Sequence, residues 1–419
     1  MSVSSEPVAP AALTAQCCVV GGGPAGLMLG LLLARAGVDV VVLEKHADFL
    51  RDFRGDTIHP STLDVMADLG LLKRFLDLPH QEVETLTGFV EDEPFRIADF
   101  RRLSTRCRFI ALMPQWDFLD FIAGEAERYP NFRLLRRVEA TGLARREGRV
   151  TGVEARAEAG PLAVTADLVV GCDGRRSTVR QSAGLESETL GAPMDVMWFR
   201  LSREPTDGDA TAGRFSAGAV FVTINRGDYW QCAYLIPKGG AIAVRQKGLE
   251  AFRQAVARRA PFAPERVADL ASWDQVSLLT VAVDRLKRWD RPGVLCIGDA
   301  AHAMSPIGGV GINLAIQDAV ATANLLAAPL REGRLGQEDV RRVQARREWP
   351  TRVTQALQVQ VQNRIISPAL SSGERLRPPL ALRLLGRFPA LTRIPARIVG
   401  VGVRPERVTA PAAATPRPL

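Results

Sequence analysis

Residues 16–45, QCCVVGGGPAGLMLGLLLARAGVDVVVLEK, constrain the fold more than any other stretch. CCVV is a short apolar run that ends in glycines and reads as a buried strand. GGGPAG is a tight turn, and Pro24 stands where the first helical turn needs no N–H. AGLMLGLLLARA is apolar on nearly every face, which predicts a buried helix, and Gly37 ends it. VDVVVLE is the second strand. Together these pieces form a βαβ unit, which commits the chain to an α/β architecture.

Gly21, Gly23 and Gly26 give GxGxxG between that strand and that helix. The first glycine allows the tight turn, the second lets the backbone approach a pyrophosphate, and the third lets helix and strand pack closely. The helix start, with Pro24 and Ala25, offers free N–H groups and partial positive charge to phosphates. Glu44 closes the second strand 18 residues beyond Gly26, with Lys45 after it. Its carboxylate is placed to accept hydrogen bonds from a ribose and would repel a 2′-phosphate. The expected resident cofactor is therefore FAD or NAD.

Composition narrows the remaining classes. A chain of 419 residues, 47% hydrophobic and with mean hydropathy +0.01, describes a soluble globular protein of two or three lobes. An apolar run of about 18 residues without charges or helix breakers is not found, so no transmembrane helix is expected. The first residues lack a basic n-region and read as a loose tail rather than a signal peptide. Six cysteines without a CxxC make no disulfide framework, and the four in strand-like runs, Cys17, Cys18, Cys232 and Cys296, read as small buried hydrophobes of a reducing, cytoplasmic compartment. Only four histidines are present, which argues against a zinc or haem site and gives no metal site. The net charge of +8 is uneven: from Arg331 onward 17 arginines face 6 acids, so the rest is slightly acidic. A near-neutral body argues against nucleic-acid binding. The basic end reads first as a solvated arginine-rich face. The second reading is a peripheral contact with anionic lipids at the inner face of a membrane.

Further along, PST at 60–62 starts a helix that continues to 76, and 116–130 is a helix stopped by Pro130. Residues 132–156 read as strands with a turn at EGR. ADLVVGCDG is a strand running into a turn. Residues 190–285 read as alternating β segments, with a hairpin at NRGD. RPGVLCIGDA is another buried strand, and INLAIQDAVATANLLAAPL is a helix. The order is a dinucleotide unit, a β-rich middle, and a return of strand, glycine turn and helix near residue 300. A middle inserted into one nucleotide-binding domain accounts for it.

GDAAHAMSPIGGVGINLAIQDA at 298–319 brings Asp299, His302 and Ser305 close together. A hydrolytic triad is a poor reading: members so near in sequence rarely converge on one nucleophile, and no GxSxG elbow exists. An NAD dehydrogenase would place a catalytic domain with a His or Lys acid after the first unit, and none is evident. A single GxGxxG leaves any nicotinamide to bind transiently at the surface.

GGGPAG followed by Glu44, GCDGRRSTVR and GDAAHAMSPIGGVGINLAIQDA, in this order and spacing, resemble the para-hydroxybenzoate hydroxylase family over roughly residues 16–330. These are the class A, single-component FAD-dependent aromatic monooxygenases. The resemblance implies an α/β fold: a Rossmann-like FAD-binding domain of the GR2 type, an inserted β-sheet substrate domain and a C-terminal helical region. The expected segments are a tail at 1–15, FAD-binding parts at 16–79, 112–184 and 286–330, and substrate parts at 80–111 and 185–285. A basic helical region at 331–408 and a disordered tail at 409–419 complete them.

The resemblance also implies roles. Asp299, beside Gly298, matches the aspartate on the ribityl chain. Pro306 matches the proline at the reactive edge of the flavin. Gly308, Gly309 and Gly311 let the backbone pass close to the ring. The N–H groups of Gly311, Ile312 and Asn313 would stabilise negative charge on reduced flavin. Val310 departs from the Gln or Met usual there. Asp173 and Gly174 match a pair that touches FAD and takes part in nicotinamide binding. Arg175, Arg176 and Arg180 either hold that turn by ion pairs or steer an NADPH phosphate. Arg54 matches an arginine near FAD with a part in catalysis, Arg51 being the lesser candidate. Gln115 matches a polar residue on the flavin side.

The implied reaction is reduction of FAD by NADPH or NADH, addition of O₂ to give a C4a-hydroperoxide, and hydroxylation or epoxidation of an apolar aromatic. Aromatic polyketides, quinolones and quinones are the expected substrates. The cofactor carries this chemistry. The pocket is expected between the flavin and the β-rich middle. Met197, Phe199, Trp230 and Tyr234 are candidates to line it, ordinary sheet core being the other reading. Alternatives are a dehydrogenase or reductase on the same fold and a non-catalytic FAD sensor. A halogenase would carry WxWxIP, which YWQCAYLIP does not match. The expected state is a monomer or homodimer.

Overall fold

The opening strand, Ala11–Val20, lies inside an eight-stranded sheet, in a computed structural model that describes residues 11–50, 57–208 and 211–418. Val40–Glu44 pairs with it on one side and Gly160–Gly171 on the other, both parallel. Phe132–Arg136 and Val294–Cys296 extend the parallel run at the two flanks. Residues 11–15 were expected to be loose and are strand instead. Ala11 pairs with Leu162 and Ala15 with Ala166, because the long partner strand offers backbone groups that far out.

Helix Pro24–Arg35 is buried along almost its whole length and packs between Gln115–Glu127 and Gly311–Arg331. Its approach to the sheet depends on Gly30, where a β-carbon would lie 2.8 Å from the Phe132 ring and 2.9 Å from Val42. Residues 307–331 are long and apolar enough to cross a membrane, yet 67% of that window is buried inside the fold, as in a core helix. Glu139–Arg146 and Arg149–Ala157 continue the sheet as an antiparallel meander from Gly160–Gly171. All six cysteines are free, and all but Cys172 are buried.

A second, seven-stranded sheet is built from two excursions of the chain. Its order is Ser277–Leu279, Met194–Ser202, Tyr229–Pro237, Ala219–Asn225, Ala212–Ser216, Thr85–Val90, Glu93–Asp99. The excursions join where Thr85–Val90 runs parallel to Ala212–Ser216. One face lies under helices Ala241–Gln246 and Leu249–Ala257. Sequence patterning left these helices inside a β-rich stretch. Leu249, Phe252 and Val256, at i, i+3 and i+7, are the signal for the second of them.

After helix Gln337–Val361 the chain forms Leu380–Arg387 and Arg393–Gly400 and then runs back over the first sheet's helices. The end from 409 was expected to be disordered, and residues 409–418 are docked. Ala413 and Ala414 N–H groups donate to Arg35 O at 2.9 and 3.0 Å, and Arg417 N–H donates to Arg128 O at 2.8 Å. The last carbonyls of a helix have no acceptor role inside it, and this segment supplies their donors.

Candidate cofactor and active site

Val20, Glu44, Gly171 and Cys296 end four adjacent parallel strands, and the loops beyond them meet at that edge of the sheet. Gly21 has φ 106°, and a β-carbon there would lie 2.6 Å from Cys172 O. A β-carbon on Gly26 would lie 1.9 Å from Gly21 O. One on Gly298, at φ 58°, would lie 3.2 Å from the β-carbons of both Ala25 and Ala315. Gly21 and Gly26 thus pack against backbone and Gly298 against alanine β-carbons, which brings three motifs distant in sequence into one place.

The residues present fit a dinucleotide. Gly23 is the N-cap of helix Pro24–Arg35, no side chain caps that end, and nothing lies within 4 Å of its missing β-carbon. Glu44 is buried, and its Oε2 accepts the Gly22 N–H at 2.9 Å. Its Oε1 accepts the His46 N–H at 3.0 Å and lies 2.7 Å from His46 Nδ1, so the carboxylate is fixed beside the loop. Lys45 is exposed. Asp173 Oδ2 accepts the Val179 N–H at 3.1 Å, while Oδ1 is buried without a partner among the described residues. Burial pushes the Asp173 carboxyl above its ordinary range. Gly174, at φ 81°, makes the turn that follows. Asp299 Oδ2 accepts from Arg175 Nε at 3.1 Å, both side chains about one third exposed. Arg180 Nη2 donates to Arg175 O at 2.6 Å and Nη1 lies 3.5 Å from Asp284. Arg175 and Arg180 thus take the ion-pair reading, whereas Arg176 is exposed. Gln115 opens helix Gln115–Glu127, half-buried.

The loop from 298 to 313 is held from outside. Gly308 and Gly309 have φ 75° and 62°, and Thr57 Oγ1 donates to Gly309 O at 2.9 Å. Pro306 and Gly311 are half-buried beside them, and Gly311 and Ile312 open the next helix. The Asn313 side chain is fully engaged: Oδ1 accepts the His59 N–H and the Thr62 hydroxyl, and Nδ2 donates to Thr57 O and Gly309 O. Only the backbone of Asn313 is left for a ligand.

His302 and Ser305 are buried loop residues, as expected, and no triad forms. His302 Nε2 lies 2.5 Å from Asp318 Oδ2, which also accepts the Gly298 N–H at 3.1 Å. Arg347 Nε donates to Asp318 Oδ1 at 2.9 Å, and Arg347 Nη1 lies 3.3 Å from Glu406. Burial would raise the Asp318 carboxyl, but the charges of His302 and Arg347 hold it below its ordinary range. Gln358 Nε2 donates to Ser305 O and Ile307 O, and Gln355 Nε2 donates to Ala303 O. Sequence reasoning missed this support. Its signal was a stripe of polar residues at helical spacing, Arg347, Thr351, Gln355 and Gln358, all buried.

The proposed pocket residues are corrected. Met197, Phe199, Trp230 and Tyr234 lie between the second sheet and helices Ala241–Gln246 and Leu249–Ala257. The opposite face carries Val196, Trp198, Val222 and Leu279, and it packs with Ile307 from the loop after Pro306. Alternation identified two faces but not what covers each, and the second face is packed by Ile366, Ala369 and Leu370. Arg54 and Arg51 fall outside the described residues.

A glycine cradle at the strand ends, a fixed Glu44 and a third loop carrying Asp299 define a dinucleotide-binding flavoprotein site. A family model described as FAD binding domain matches residues 14–355. The chain is 34% identical over 394 residues, 91% of each chain, to 6-methylpretetramide 4-monooxygenase of Streptomyces rimosus. It is 32% identical over 323 residues to rifampicin monooxygenase of Streptomyces venezuelae, covering 74% of this chain and 63% of that protein. Among solved structures it resembles the anhydrotetracycline hydroxylase OxyS of Streptomyces rimosus, with TM-score 0.73 and 25% identity, covering 93% of this chain and 76% of that one. The chain belongs to the FAD binding domain family and is an FAD-dependent monooxygenase of the class A aromatic type.

Proposed function

We propose that the protein uses reduced nicotinamide and O₂ to hydroxylate a fused-ring aromatic substrate of the polyketide type. The observation that carries this reading is the half-buried part of the second sheet's apolar face, Trp198, Val222 and Leu279, which meets Ile307 immediately after Pro306 and is flanked by the buried Ile366 and Ala369. Such a face suits a flat, apolar ring system and excludes water from it. The similarity to a 6-methylpretetramide monooxygenase supports the same substrate class. Bound FAD would supply electron transfer from the nicotinamide and activation of O₂.

The chain's own residues bind and orient. Gly21, Gly23 and Gly26 with Pro24 and Ala25 receive the pyrophosphate, Glu44 the ribose hydroxyls, and Asp173 with Gly174 the neighbouring part of the cofactor. Asp299 takes the ribityl hydroxyls, steadied by Arg175. Pro306 and Gly309 border the ring, and the N–H groups of Gly311, Ile312 and Asn313 are placed to stabilise negative charge on it. A monooxygenase of this kind needs no strong acid–base pair in the pocket.

The test is NADH and NADPH oxidation by the FAD-loaded protein over a panel of polycyclic phenols, quinolones and quinones, with mass spectrometry of products. The expected result is substrate-stimulated oxidation with one oxygen atom added to the product. Turnover that yields only desaturated or reduced products, without added oxygen, would instead make it a dehydrogenase or reductase.

A further inference from the structure

Six large apolar side chains stand exposed within one short stretch near the C-terminal end: Leu380, Leu384, Phe388, Leu391, Ile394 and Ile398. Each is more than a third exposed, and Leu380 reaches 72%. They alternate with Arg383, Arg387, Arg393 and Arg397, all exposed, none with an ion-pair partner among the described residues. Between Glu374 and Glu406 the sequence contains no acidic residue, and it contains no Trp or Tyr there either.

The inner side of this stretch is firmly seated. Ala396, Val399 and Val401 pack with Phe100, Leu103 and Ile110. A β-carbon on Gly400 would lie 3.1 Å from the Phe100 ring. Helix Arg393–Gly400 is therefore held in place, and Leu380–Arg387, which has no buried residue, lies along strand Glu93–Asp99. Helix Arg393–Gly400 also backs directly onto the cofactor loop: Val399 Cγ2 would lie 3.9 Å from a β-carbon on Gly308, and Val399 O accepts from His59 Nδ1 at 2.7 Å.

We propose that this face docks on an anionic lipid surface. Aliphatic residues interleaved with unpaired arginines on short helices are the chemistry of an element lying in a membrane interface. Apolar groups enter the acyl boundary, and the cations meet phosphates. A second copy fits worse, because a two-fold contact would set arginine against arginine. A protein partner fits worse too, because the anchors usual at such interfaces, Trp and Tyr, are missing from the face. Docking would hold the Pro306–Gly309 loop about one helix diameter from the lipid. This inference does not rest on the substrate assigned above.

The test is co-sedimentation of the full FAD-loaded chain with vesicles of phosphatidylcholine alone and of phosphatidylcholine with phosphatidylglycerol, at low and high salt. The protein should partition to the anionic vesicles and be released by salt. Each arginine neutralised should lower partition about fivefold at low ionic strength. Arg383→Gln with Arg387→Gln probes the charge, and Leu384→Ser with Ile394→Ser probes the apolar half. Retained flavin absorbance shows that the variants fold. Loss of partition in both variants supports the proposal. Failure of the unaltered protein to bind anionic vesicles at low salt overturns it, as does binding that the Leu384/Ile394 variant retains in full. Light scattering that shows a dimer broken by the same substitutions, without vesicle binding, would assign the face to a second copy.

Discussion

The two glycine loops at the strand ends are stiffened in opposite ways. The loop from Gly21 to Gly26 is shaped by its own backbone: Gly21 turns at positive φ, and Gly26 leaves only the room its missing β-carbon frees. The loop from Gly298 to Gly309 is shaped by side chains from elsewhere. Asp318 holds Gly298, Gln355 and Gln358 hold 303–307, and Arg347 links Asp318 to Glu406. One loop is a local steric solution. The other is a buried polar network whose members must all be in place to be worth their desolvation.

Substitutions separate the two designs. Gly26→Ala should have the largest effect, above about 4 kcal/mol in denaturant unfolding, because its β-carbon meets backbone rather than a movable side chain. A variant that folds with native stability would show that the first loop is not sterically locked. Arg347→Met should follow at about 2–4 kcal/mol, since it removes the buried charge that links Asp318 and Glu406 and leaves them with only His302 and Arg346 as partners. It should also weaken FAD retention although Arg347 lies outside the cradle. Unchanged flavin binding would uncouple the network from the loop.

His59 sharpens the comparison through pH. Its Nδ1 faces the Val399 carbonyl and its Nε2 is buried without a partner among the described residues, so the ring is neutral and its pKa is driven by burial to about 4. In the unfolded chain it titrates near its ordinary 6.5. Between those values the unfolded state binds the extra proton, so stability falls as pH drops through that window, by up to about 3 kcal/mol. Thermal unfolding of His59→Gln should be less sensitive to acid there than that of the unaltered protein.

Gly23→Ala should have the smallest effect on the fold, within about 1 kcal/mol, because its φ is ordinary and the space beside it is open. Flavin affinity should nevertheless fall about tenfold or more if that space belongs to the pyrophosphate. Unaltered affinity, measured by flavin fluorescence, would move the phosphates elsewhere.

What the sequence revealed follows the same division. The strand, turn and helix at 16–45 were legible because their signals are local. Glycine spacing, Pro24 and the apolar helix all lie within one window. Glu44 could be placed because it ends the adjacent strand. Support of the second loop was not legible, because Asp318, Arg347 and Glu406 are brought together only by the tertiary fold. The pocket face failed for a related reason. Met197 and Phe199 alternate correctly with Trp198, but choosing between faces required helix Leu249–Ala257, whose spacing was overlooked within a β-rich region. The ends of the chain were misjudged because polar, alanine-rich segments reveal little until their backbone partners are known.

The return of the chain over its own first helix has a consequence for folding. Glu406 belongs to the polar network behind Gly298, and Ala413 and Ala414 satisfy the end of helix Pro24–Arg35. The glycine turn at the start of the chain emerges from the ribosome long before these residues do. The support of the Gly298 loop is thus a contact of long sequence separation, the kind whose loop-closure cost slows folding.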